Sequence, residues 1–416
     1  MSERRDRGVL ATEEGVERLR QALASKRNCE ARSWRKLDLA IESGVDERTV
    51  RRFLNREQPV DENTARAICQ ALGVEFREII EFNSPYPLTD KTGQPQSNPF
   101  VYGTPVPPNR FYGRKRVIAD VKNRIGALSG QSINIVGFRR SGKSSLLRYI
   151  KERPEEFCLT GQNPLIVSLD LQNHRYHSPE GIIEGLRHEI AKLTGTVPWS
   201  NTDNTNPYEV DNGLTALRKK GYRLIVMLDE LERIGQRLEQ FQDWGEDWRA
   251  KASDDLFALV IASKRSLSEV YNQFNLTSPF SNIFSKTVLG VLEKDAWQQL
   301  VCDGFAPKKV PPENLDWLDD LTGGFPHYVQ MAASLLWQYE NPEQAKTEFI
   351  FQATDRFQEL WQNLEEPERQ ALRFAAEMAG FMKPTAAMSD RLQRYGLLRS
   401  DGKLFSTAFA DFVRRQ

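Results

Sequence analysis

Five short apolar runs alternate along the middle of the chain with longer stretches in which apolar residues recur every three or four positions. The runs are Ile133–Val136, Leu165–Leu169, Arg223–Leu228, Leu256–Ala262 and Lys286–Val291. A continuous apolar run of this length predicts a strand buried on both faces, as in a parallel sheet, and the three-to-four spacing predicts amphipathic helices. Residues 104–290 are therefore predicted to form an α/β core around a parallel sheet.

The first 82 residues show helical periodicity alone, which predicts an all-α N-terminal domain over residues 1–82. The predicted helices are Thr12–Arg27, Trp34–Glu42, Glu47–Asn55 and Asp61–Leu72. Asp46 is expected to cap the third helix at its N-terminus, and Gly73 is expected to end the fourth.

A proline-rich segment separates this domain from the α/β core. Seven prolines stand between residues 83 and 110. Proline removes a backbone donor and fixes φ, so such a segment cannot form a helix and has little apolar surface to bury. Residues 83–103 are predicted to be a semi-extended linker between two independently folded parts.

Helical periodicity returns after the last apolar run. We predict a helical lid subdomain at residues 291–345 and a second C-terminal domain at residues 346–416. In the second domain, a hairpin turning at Asp401-Gly402 follows three helices and precedes a final helix, Ser406–Arg414.

Composition narrows the class of protein. The 57 Lys and Arg residues balance the 57 Asp and Glu residues, so contact with nucleic acid would need a local basic patch. No apolar run is long enough to span a membrane, and the polar N-terminus is unlike a secretory signal. The four cysteines lack C-x-x-C spacing, which indicates reduced thiols, no zinc site and a cytoplasmic protein. His174 and His177 are interpreted as solvated loop residues.

The stretch from Gly137 to Ser144 reads Gly-x-x-x-x-Gly-Lys-Ser between a predicted strand and a predicted helix. This is the context of a phosphate-binding P-loop, and a chance glycine loop is the disfavoured alternative. The glycines let backbone N–H groups turn toward phosphates at a helix N-terminus. Lys143 can reach the β and γ phosphates as a catalytic and binding group, and Ser144 can hold Mg²⁺. The expected binding residues of this loop are Gly137, Ser141, Gly142, Lys143, Ser144 and Ser145.

Two acids, Asp229 and Glu230, directly follow the third apolar run, which is the Walker B pattern. A buried parallel strand delivers both carboxylates to the edge of the sheet where ligands bind. Asp229 would orient a Mg²⁺-bound water, and Glu230 would act as general base toward the attacking water. The alternative is a pair of exposed acids that the dipole of a following helix stabilises. ATP and Mg²⁺ are therefore the expected cofactors.

Phe111-Tyr112-Gly113-Arg114 resembles the box that precedes the first core helix in AAA+ and STAND-type ATPases, where it lies near the adenine. The resemblance implies nucleotide contacts for Tyr112 and Arg114. It also implies a sensor residue after the fourth strand, for which Ser263 is our choice. Gly324-Phe325-Pro326 resembles the STAND feature that packs against the adenine through its proline, Pro326, although proline is also an ordinary helix initiator.

Together these motifs resemble the additional-strand division of P-loop ATPases, and within it the archaeal-type and STAND ATPases, over roughly residues 104–416. The resemblance implies an AAA+-like core in which the Walker B and sensor strands flank the P-loop strand, followed by a lid and a winged helix. Such a winged helix docks on the core and senses the nucleotide, or binds DNA in origin-binding relatives. No Met-His-Asp triplet is present, and no arginine between Ser266 and Phe284 marks a ring-forming motor.

The order Leu-Ala-x-x-Ser-Gly-Val-x-x-x-Thr-Val-x-x-Phe-Leu from Leu39 to Leu54 resembles the helix-turn-helix of Cro/repressor-like domains. The resemblance implies that the third helix enters the major groove of DNA. Its expected DNA-binding residues are Arg48, Thr49, Arg51, Arg52 and Arg56. The alternative is a small helical bundle for protein contact, with solvated arginines.

The combined modules favour an ATP-dependent DNA-binding switch with slow ATPase activity, either a transcription regulator or a transposition or target-selection ATPase. ATP would drive self-association into a homo-oligomer, or reorient the winged helix. The alternative is a STAND-like signalling or antiviral-defence ATPase that recruits a separate protein effector through its N-terminal domain. A plain monomeric NTPase is the least favoured. Arg139 and Arg140 are either solvated charges or contacts to a neighbouring subunit or to the winged helix.

Overall fold

The computed structural model describes residues 11–27, 32–56, 60, 62–74, 79, 97–127, 130–158, 161–200, 207–273, 279–339 and 341–416. Two compact units share the chain, Met1–Gln96 and Ser97–Gln416. Of the predicted linker, residues 83–96 lie outside the described residues. The predicted boundaries at 290 and 345 fall inside the second unit. No helix in the described ranges is long and apolar enough to cross a membrane.

The first unit contains the four predicted helices, which are α1 (Glu13–Ser25), α2 (Lys36–Ser43), α3 (Glu47–Leu54) and α4 (Glu62–Leu72). Their inward residues form one apolar core, in which Leu19, Leu39, Val50, Phe53 and Ile68 are completely buried. The predicted cap is confirmed, because Asp46 accepts a 2.9 Å hydrogen bond from the backbone N–H of Thr49.

The second unit is built on a five-stranded sheet in the order β2-β3-β4-β1-β5. The strands are β1 (Ser132–Val136), β2 (Asn163–Asp170), β3 (Tyr222–Asp229), β4 (Ala258–Ser263) and β5 (Phe284–Val288). Every pairing in the sheet is parallel, so the predicted parallel α/β core is confirmed.

One detail of the predicted strand order was wrong. The strands that flank β1 are β4 and β5, and the Walker B strand β3 lies one position further out, beyond β4.

A buried polar cluster fixes the β1–β4 pairing. Asn134 on β1 donates to the Ile261 carbonyl and to the Ser263 hydroxyl of β4, at 3.2 and 2.9 Å. Burying this amide requires those partners, and a pattern of apolar runs does not reveal such a requirement.

Helices cover both faces of the sheet. They are α5 (Lys115–Ile125), α6 (Lys143–Glu152), α7 (Pro179–Thr194), α8 (Pro207–Lys219), α9 (Gln242–Ser253) and α10 (Leu267–Gln273). One face packs Val121, Ile135, Leu147 and Ile150 into a single apolar cluster, and the other face has a second cluster around Trp248. This two-sided burial explains why the strands are continuously apolar.

The rest of the second unit is helical. Its helices are α11 (Lys294–Phe305), α12 (Pro312–Thr322), α13 (Pro326–Gln338), α14 (Pro342–Gln362), α15 (Glu366–Ala375), α16 (Ala386–Arg394) and α17 (Thr407–Val413). The rings of Tyr328 on α13, Phe357 on α14 and Phe405 before α17 pack on one another. The predicted turn at Asp401-Gly402 is confirmed, because Leu398 and Leu404 form an antiparallel bridge across it.

A short extended segment, residues 98–106, precedes the sheet and packs along α13; we call it the strap. Asn98 donates to the hydroxyl of Ser334 at 2.8 Å, and the Val101 N–H donates to the side chain of Gln330 at 3.2 Å. Phe100 is buried, with its ring 5.2 Å from that of Phe305. The last residues of the predicted linker thus belong to the second unit.

Candidate nucleotide site

The loop between β1 and α6 has the shape of an anion cradle. Gly142, immediately before α6, adopts the left-handed conformation with φ +95°. A Cβ atom on Gly137 would lie 2.5 Å from the Ser141 hydroxyl and 2.7 Å from the Leu289 carbonyl, so a larger residue would distort the loop. The loop therefore leads the chain into the N-terminus of a ten-residue helix, where unpaired N–H groups favour a bound anion.

Lys143 is held inside this loop. Its ammonium group donates to the carbonyls of Gly137 and Phe138 at 2.8 and 3.2 Å. The side chain is buried, and this burial lowers the pKa of Lys143 below its usual range. An ammonium group fixed at the mouth of the loop suits the terminal phosphates of a nucleotide.

Ser144 and Asp229 are joined across the sheet edge. The Ser144 hydroxyl donates a 2.7 Å hydrogen bond to Asp229, whose other oxygen accepts from the Glu230 N–H at 2.9 Å. Burial raises the pKa of Asp229, although the Ser144 hydrogen bond and the Lys143 charge oppose the shift. A hydroxyl beside a carboxylate is the donor set that Mg²⁺ takes together with phosphate and water.

Glu230 has an unusual backbone and a carboxylate directed at the cleft. Its φ is +58°, which a residue with a side chain rarely adopts. The side chain lines the cleft beside the loop, and among the described residues its buried Oε2 has no hydrogen-bond partner. The Nε of Arg233 lies 3.8 Å from this oxygen. A carboxylate placed in this way can orient a water molecule and take its proton.

Ser263 is not brought into the cleft. Its completely buried hydroxyl donates to the Arg265 carbonyl at 2.6 Å and accepts from Asn134 at 2.9 Å. Both hydrogen bonds hold β4 and the following loop against β1, so the structure gives Ser263 a supporting position below the site. The sequence led us to expect it near the γ-phosphate.

Tyr112, Arg114 and Pro326 line the cleft, as predicted. The guanidinium of Arg114, however, donates its hydrogen bonds to backbone carbonyls. Its buried guanidinium donates to the carbonyls of Ser141, Gly290 and Val291 at 3.0, 2.6 and 2.8 Å. Burial lowers the pKa of Arg114 to about 10. Arg114 therefore ties the P-loop to the segment after β5.

Tyr112 and Pro326 shape the cleft walls. The Tyr112 hydroxyl donates to Asp303 at 3.0 Å, and Pro326 lies 3.8 Å from where a Cβ on Gly142 would stand.

The cleft around these groups has a volume of about 250 Å³. Of the predicted residues, Ser141, Gly142, Lys143, Ser144, Ser145, Tyr112, Arg114, Glu230 and Pro326 line it. Gly137, Asp229 and Ser263 do not line it, and Asp229 reaches it only through Ser144. The buried Ser141 hydroxyl has no hydrogen-bond partner among the described residues. Such a cationic cleft with an unsatisfied donor fits a polyphosphate.

Several residues at this cleft were missed by sequence reasoning. The strap forms one wall with Val101 and Tyr102, and His327 and Gln330 of α13 stand beside it. The available signal was a histidine within an otherwise apolar helix, directly after Pro326. Nothing in the periodicity indicates that the strap would lie on this helix.

The P-loop also contacts the C-terminal helices. Arg139 pairs with Glu359 of α14, and Arg140 lies 3.5 Å from the same carboxylate and 3.0 Å from His327. Phe138 packs its ring 5.0 Å from that of Tyr395, just after α16. Of the alternatives for the two arginines, the structure shows contact with the region that we predicted to be the winged-helix domain.

A second contact joins the loop after β4 to the same helices. Arg265 forms two 2.6 Å hydrogen bonds with Glu368 on α15, and Arg391 on α16 approaches that carboxylate to 3.3 Å. Glu368 is completely buried. The P-loop, which lines the cleft, and the loop after β4 are therefore both attached to the C-terminal helices by ion pairs.

The predicted DNA-reading residues lie on α3 or directly after it. Arg48 and Arg51 are exposed, and Thr49, Arg52 and Arg56 are half-buried. The Thr49 hydroxyl donates to Asp46 at 2.5 Å, so it takes part in the helix cap.

The strand order, the P-loop and the Ser144–Asp229 pair define the second unit as an AAA+-like P-loop ATPase fold. The structure resembles a Walker-type ATPase of Pyrococcus abyssi, which is 17% identical, with 76% of this chain and 99% of that chain covered at a TM-score of 0.52. A structure of the Aeropyrum pernix ORC1 protein in complex with DNA is 15% identical to this chain, with 74% of this chain and 93% of that chain covered at a TM-score of 0.39.

Residues 26–85 match the family of Cro/C1-type HTH DNA-binding domains. The chain therefore joins a Cro/C1-type HTH domain to an AAA+-like P-loop ATPase fold. It is also 24% identical over 252 residues to an uncharacterized WD repeat-containing protein of Nostoc sp.. That match covers 55% of this chain and 19% of the relative, so the chain spans less than a fifth of the relative's length.

Proposed function

We propose that this protein is an ATP-regulated DNA-binding switch that hydrolyses ATP slowly. One observation carries the proposal. The P-loop, which lines the cleft, is attached to the C-terminal helices through the pairs of Arg139 and Arg140 with Glu359, and the loop after β4 is attached to them through Arg265–Glu368. A nucleotide that draws Arg139 and Arg140 toward its phosphates changes how the C-terminal helices are held, since a ligand shifts an equilibrium by its differential contacts with the two states.

The cofactors of this switch are ATP and Mg²⁺. The backbone of Gly137 to Gly142 and the ammonium group of Lys143 would hold the phosphates. Ser144 and Asp229 would hold the metal, which neutralises phosphate charge when bound. Glu230 would orient and deprotonate the attacking water. The Ser141 hydroxyl and the Oε2 atom of Glu230, which have no hydrogen-bond partner in the described part of the chain, support this assignment.

DNA is the proposed partner. The Cro/C1-type HTH match supports it, and so does a recognition helix with Arg48 and Arg51 exposed. We propose that residues 346–416 act as a winged helix and that ATP changes its attachment, with self-association of the chain as a consequence. The protein thereby acts as a transcription regulator or a target-selection ATPase.

The test measures the affinity of the full-length chain for labelled duplex DNA at several salt concentrations, with ATP and Mg²⁺, with ADP and Mg²⁺, and without nucleotide. We expect the affinity to fall steeply with salt and to differ between nucleotide states by about 5- to 150-fold. The Lys143→Ala variant should bind DNA like the nucleotide-free wild type in every state, since it lacks the phosphate contact. A chain without salt-dependent DNA affinity in any state contradicts the proposal.

Particle sizing under the same conditions tests self-association. An ATP-dependent increase in size is expected for the wild type and not for Lys143→Ala. The same size in all three nucleotide states would remove self-association from the proposal.

A further inference from the structure

A chain of hydrogen bonds crosses the cleft from the strap to the C-terminal helices. His327 stands in its middle, at the second position of α13. One ring nitrogen, Nδ1, lies 2.9 Å from the carbonyl of Tyr102 in the strap. The Nη1 atom of Arg140 in the P-loop lies 3.0 Å from the other ring nitrogen, Nε2, and 3.4 Å from Nδ1, and Arg140 Nη2 lies 3.5 Å from the Glu359 carboxylate.

The partners of His327 determine its tautomer. A carbonyl oxygen can only accept, so Nδ1 carries the proton and donates to Tyr102. A guanidinium can only donate, so Nε2 is unprotonated and accepts from Arg140. The ring is thus neutral, with one nitrogen that donates a hydrogen bond and one that accepts. No other side chain carries both functions on a five-membered ring. Its burial beside two arginines agrees with this state.

The strap has a second connection to the phosphate loop. The Val106 N–H donates to the Ser145 hydroxyl at 3.2 Å, and Arg148 on α6 donates to the Pro105 carbonyl at 2.8 Å. Residues 101 to 106 all line the cleft. Hence a nucleotide in the cleft touches the strap directly and also acts on Arg140, and the two effects meet at Tyr102.

The strap lies at the start of the second compact unit, next in sequence to the unit with the HTH domain. Residue 97 begins the second compact unit, directly after the unit that contains the HTH domain. The strap is therefore the part of the second unit that lies nearest in sequence to the HTH domain.

We propose that His327 is a positioning residue that couples the phosphate loop to the strap, so that nucleotide occupancy is transmitted to the segment leading to the HTH domain. When phosphate engages Arg140, the Nε2 acceptor loses its donor, the ring is released from its fixed orientation, and its hydrogen bond to Tyr102 weakens. This inference rests on the proposed function, because it requires a nucleotide in the cleft.

Two variants separate the halves of this contact. In His327→Gln the side-chain amide reaches the place of Nε2, so the contact with Arg140 is kept and that with Tyr102 is lost. In His327→Asn the amide takes the place of Nδ1, so the contact with Tyr102 is kept and that with Arg140 is lost. Each substitution interrupts the chain at a different bond, and His188→Gln, at an exposed position of α7, is the matched control.

The experiment measures hydrogen exchange of the Val101 and Val106 amides in the full-length chain, with and without the non-hydrolysable analogue adenylyl imidodiphosphate and Mg²⁺. In the wild type and in His188→Gln, the analogue should change exchange at these amides by about fivefold or more, the lower end of typical coupling between sites. Both His327 variants should bind the analogue, which calorimetry checks, and should keep the response of Val106, whose N–H donates directly to Ser145, yet show little change at Val101. A merely structural role would alter exchange equally in both states.

Unchanged coupling in both His327 variants would overturn the inference, and so would a wild type that binds the analogue with no change at the strap. If both variants unfold, Arg140→Ala breaks the same chain from the P-loop side and must abolish the response at Val101. A wild type that binds no nucleotide contradicts the proposed function as well as this inference. A strap that responds in a chain without DNA affinity contradicts only the proposed function.

Discussion

Arg265 and Glu368 form a bidentate ion pair in which both guanidinium nitrogens lie 2.6 Å from the carboxylate oxygens. The pair joins the loop after β4 to α15, and the Arg265 guanidinium also lies 5.4 Å above the ring of Phe138 in the P-loop. One buried carboxylate therefore fixes the loop after β4 relative to the C-terminal helices, and Arg265 extends this contact to Phe138 of the P-loop.

Removal of this carboxylate should destabilise the second unit strongly. Glu368→Ala leaves the guanidinium groups of Arg265 and Arg391 without their shared anion and removes the acceptor for the Glu365 N–H at 2.8 Å. We expect a loss of about 3–5 kcal/mol in the free energy of unfolding, measured by urea denaturation and tryptophan fluorescence. A loss comparable to that of a surface pair would show that the ion pair does not hold the helices.

The matched control breaks an exposed pair on the neighbouring helix. Asp390 and Arg394 on α16 form a 2.8 Å ion pair with 60% and 68% of their side chains exposed. Asp390→Ala should leave the free energy of unfolding nearly unchanged, since exposed pairs are screened by solvent.

Glu230→Gln tests the proposed general base. The amide keeps the size of the side chain and its place beside the P-loop, but it cannot take a proton from water. Nucleotide binding should persist while turnover falls by about 10²–10⁴-fold, measured by single-turnover ATP hydrolysis and by calorimetry. Turnover equal to that of the wild type would exclude Glu230 as the base.

A nearby acid provides the comparison for this variant. Glu232 lies two residues further on, where its carboxylate accepts from the Lys264 N–H at 3.3 Å and does not line the cleft. Glu232→Gln should therefore leave turnover close to that of the wild type. A similar loss in both variants would indicate a general charge effect.

The state of His327 should make the stability of the second unit depend on pH. Burial, reinforced by the charges of Arg140 and Arg356, lowers the pKa of His327 from 6.5 to about 3, and the Tyr102 carbonyl only partly opposes this. The unfolded chain therefore binds a proton that the folded chain does not, so stability is present above about pH 6.5 and is lost as the pH falls toward 3. The slope attributable to this group is at most about 1.4 kcal/mol per pH unit.

The measurement compares urea denaturation at pH 7 and pH 5 for the wild type and His327→Gln. This interval lies above the usual range of carboxylate titration. The pH dependence should shrink in His327→Gln and remain in His188→Gln. An identical dependence in all three proteins would show that the ring is already charged in the folded chain or accessible to solvent.

Much of this fold followed from local patterns, because buried strands and amphipathic helices impose their period on neighbouring residues. The helix around Glu47 and the strand before Asp229 are recognisable for this reason, as is the P-loop, whose chemistry fixes residue types at short spacing. The strap, Glu359 and Glu368 could not be predicted. Their partners lie far away in sequence. In addition, the pattern of polar and apolar residues does not distinguish an acid on the surface of a helix from one that is buried where the helix packs on another element. For Ser263 the family resemblance indicated the correct end of a strand, but it did not indicate where the hydroxyl points. In the structure that hydroxyl donates to the Arg265 carbonyl.

The arginines of α3 should control DNA affinity through phosphate or base contacts. Replacing Arg48, Arg51 and Arg52 together with alanine removes three cationic side chains from a helix whose core residues Val50, Phe53 and Leu54 are buried and unchanged. We expect a large loss of DNA affinity, measured by fluorescence anisotropy over a salt series. The slope of log affinity against log salt concentration should become shallower by up to about three.

The triple variant should keep the nucleotide affinity of the wild type, because the two compact units have separate cores. Arg18→Ala on α1, which breaks an exposed pair with Glu14, is the control for charge alone. Equal loss of affinity in the control and the triple variant would indicate a diffuse electrostatic attraction, whereas undiminished binding by the triple variant would exclude α3 as the DNA-reading helix.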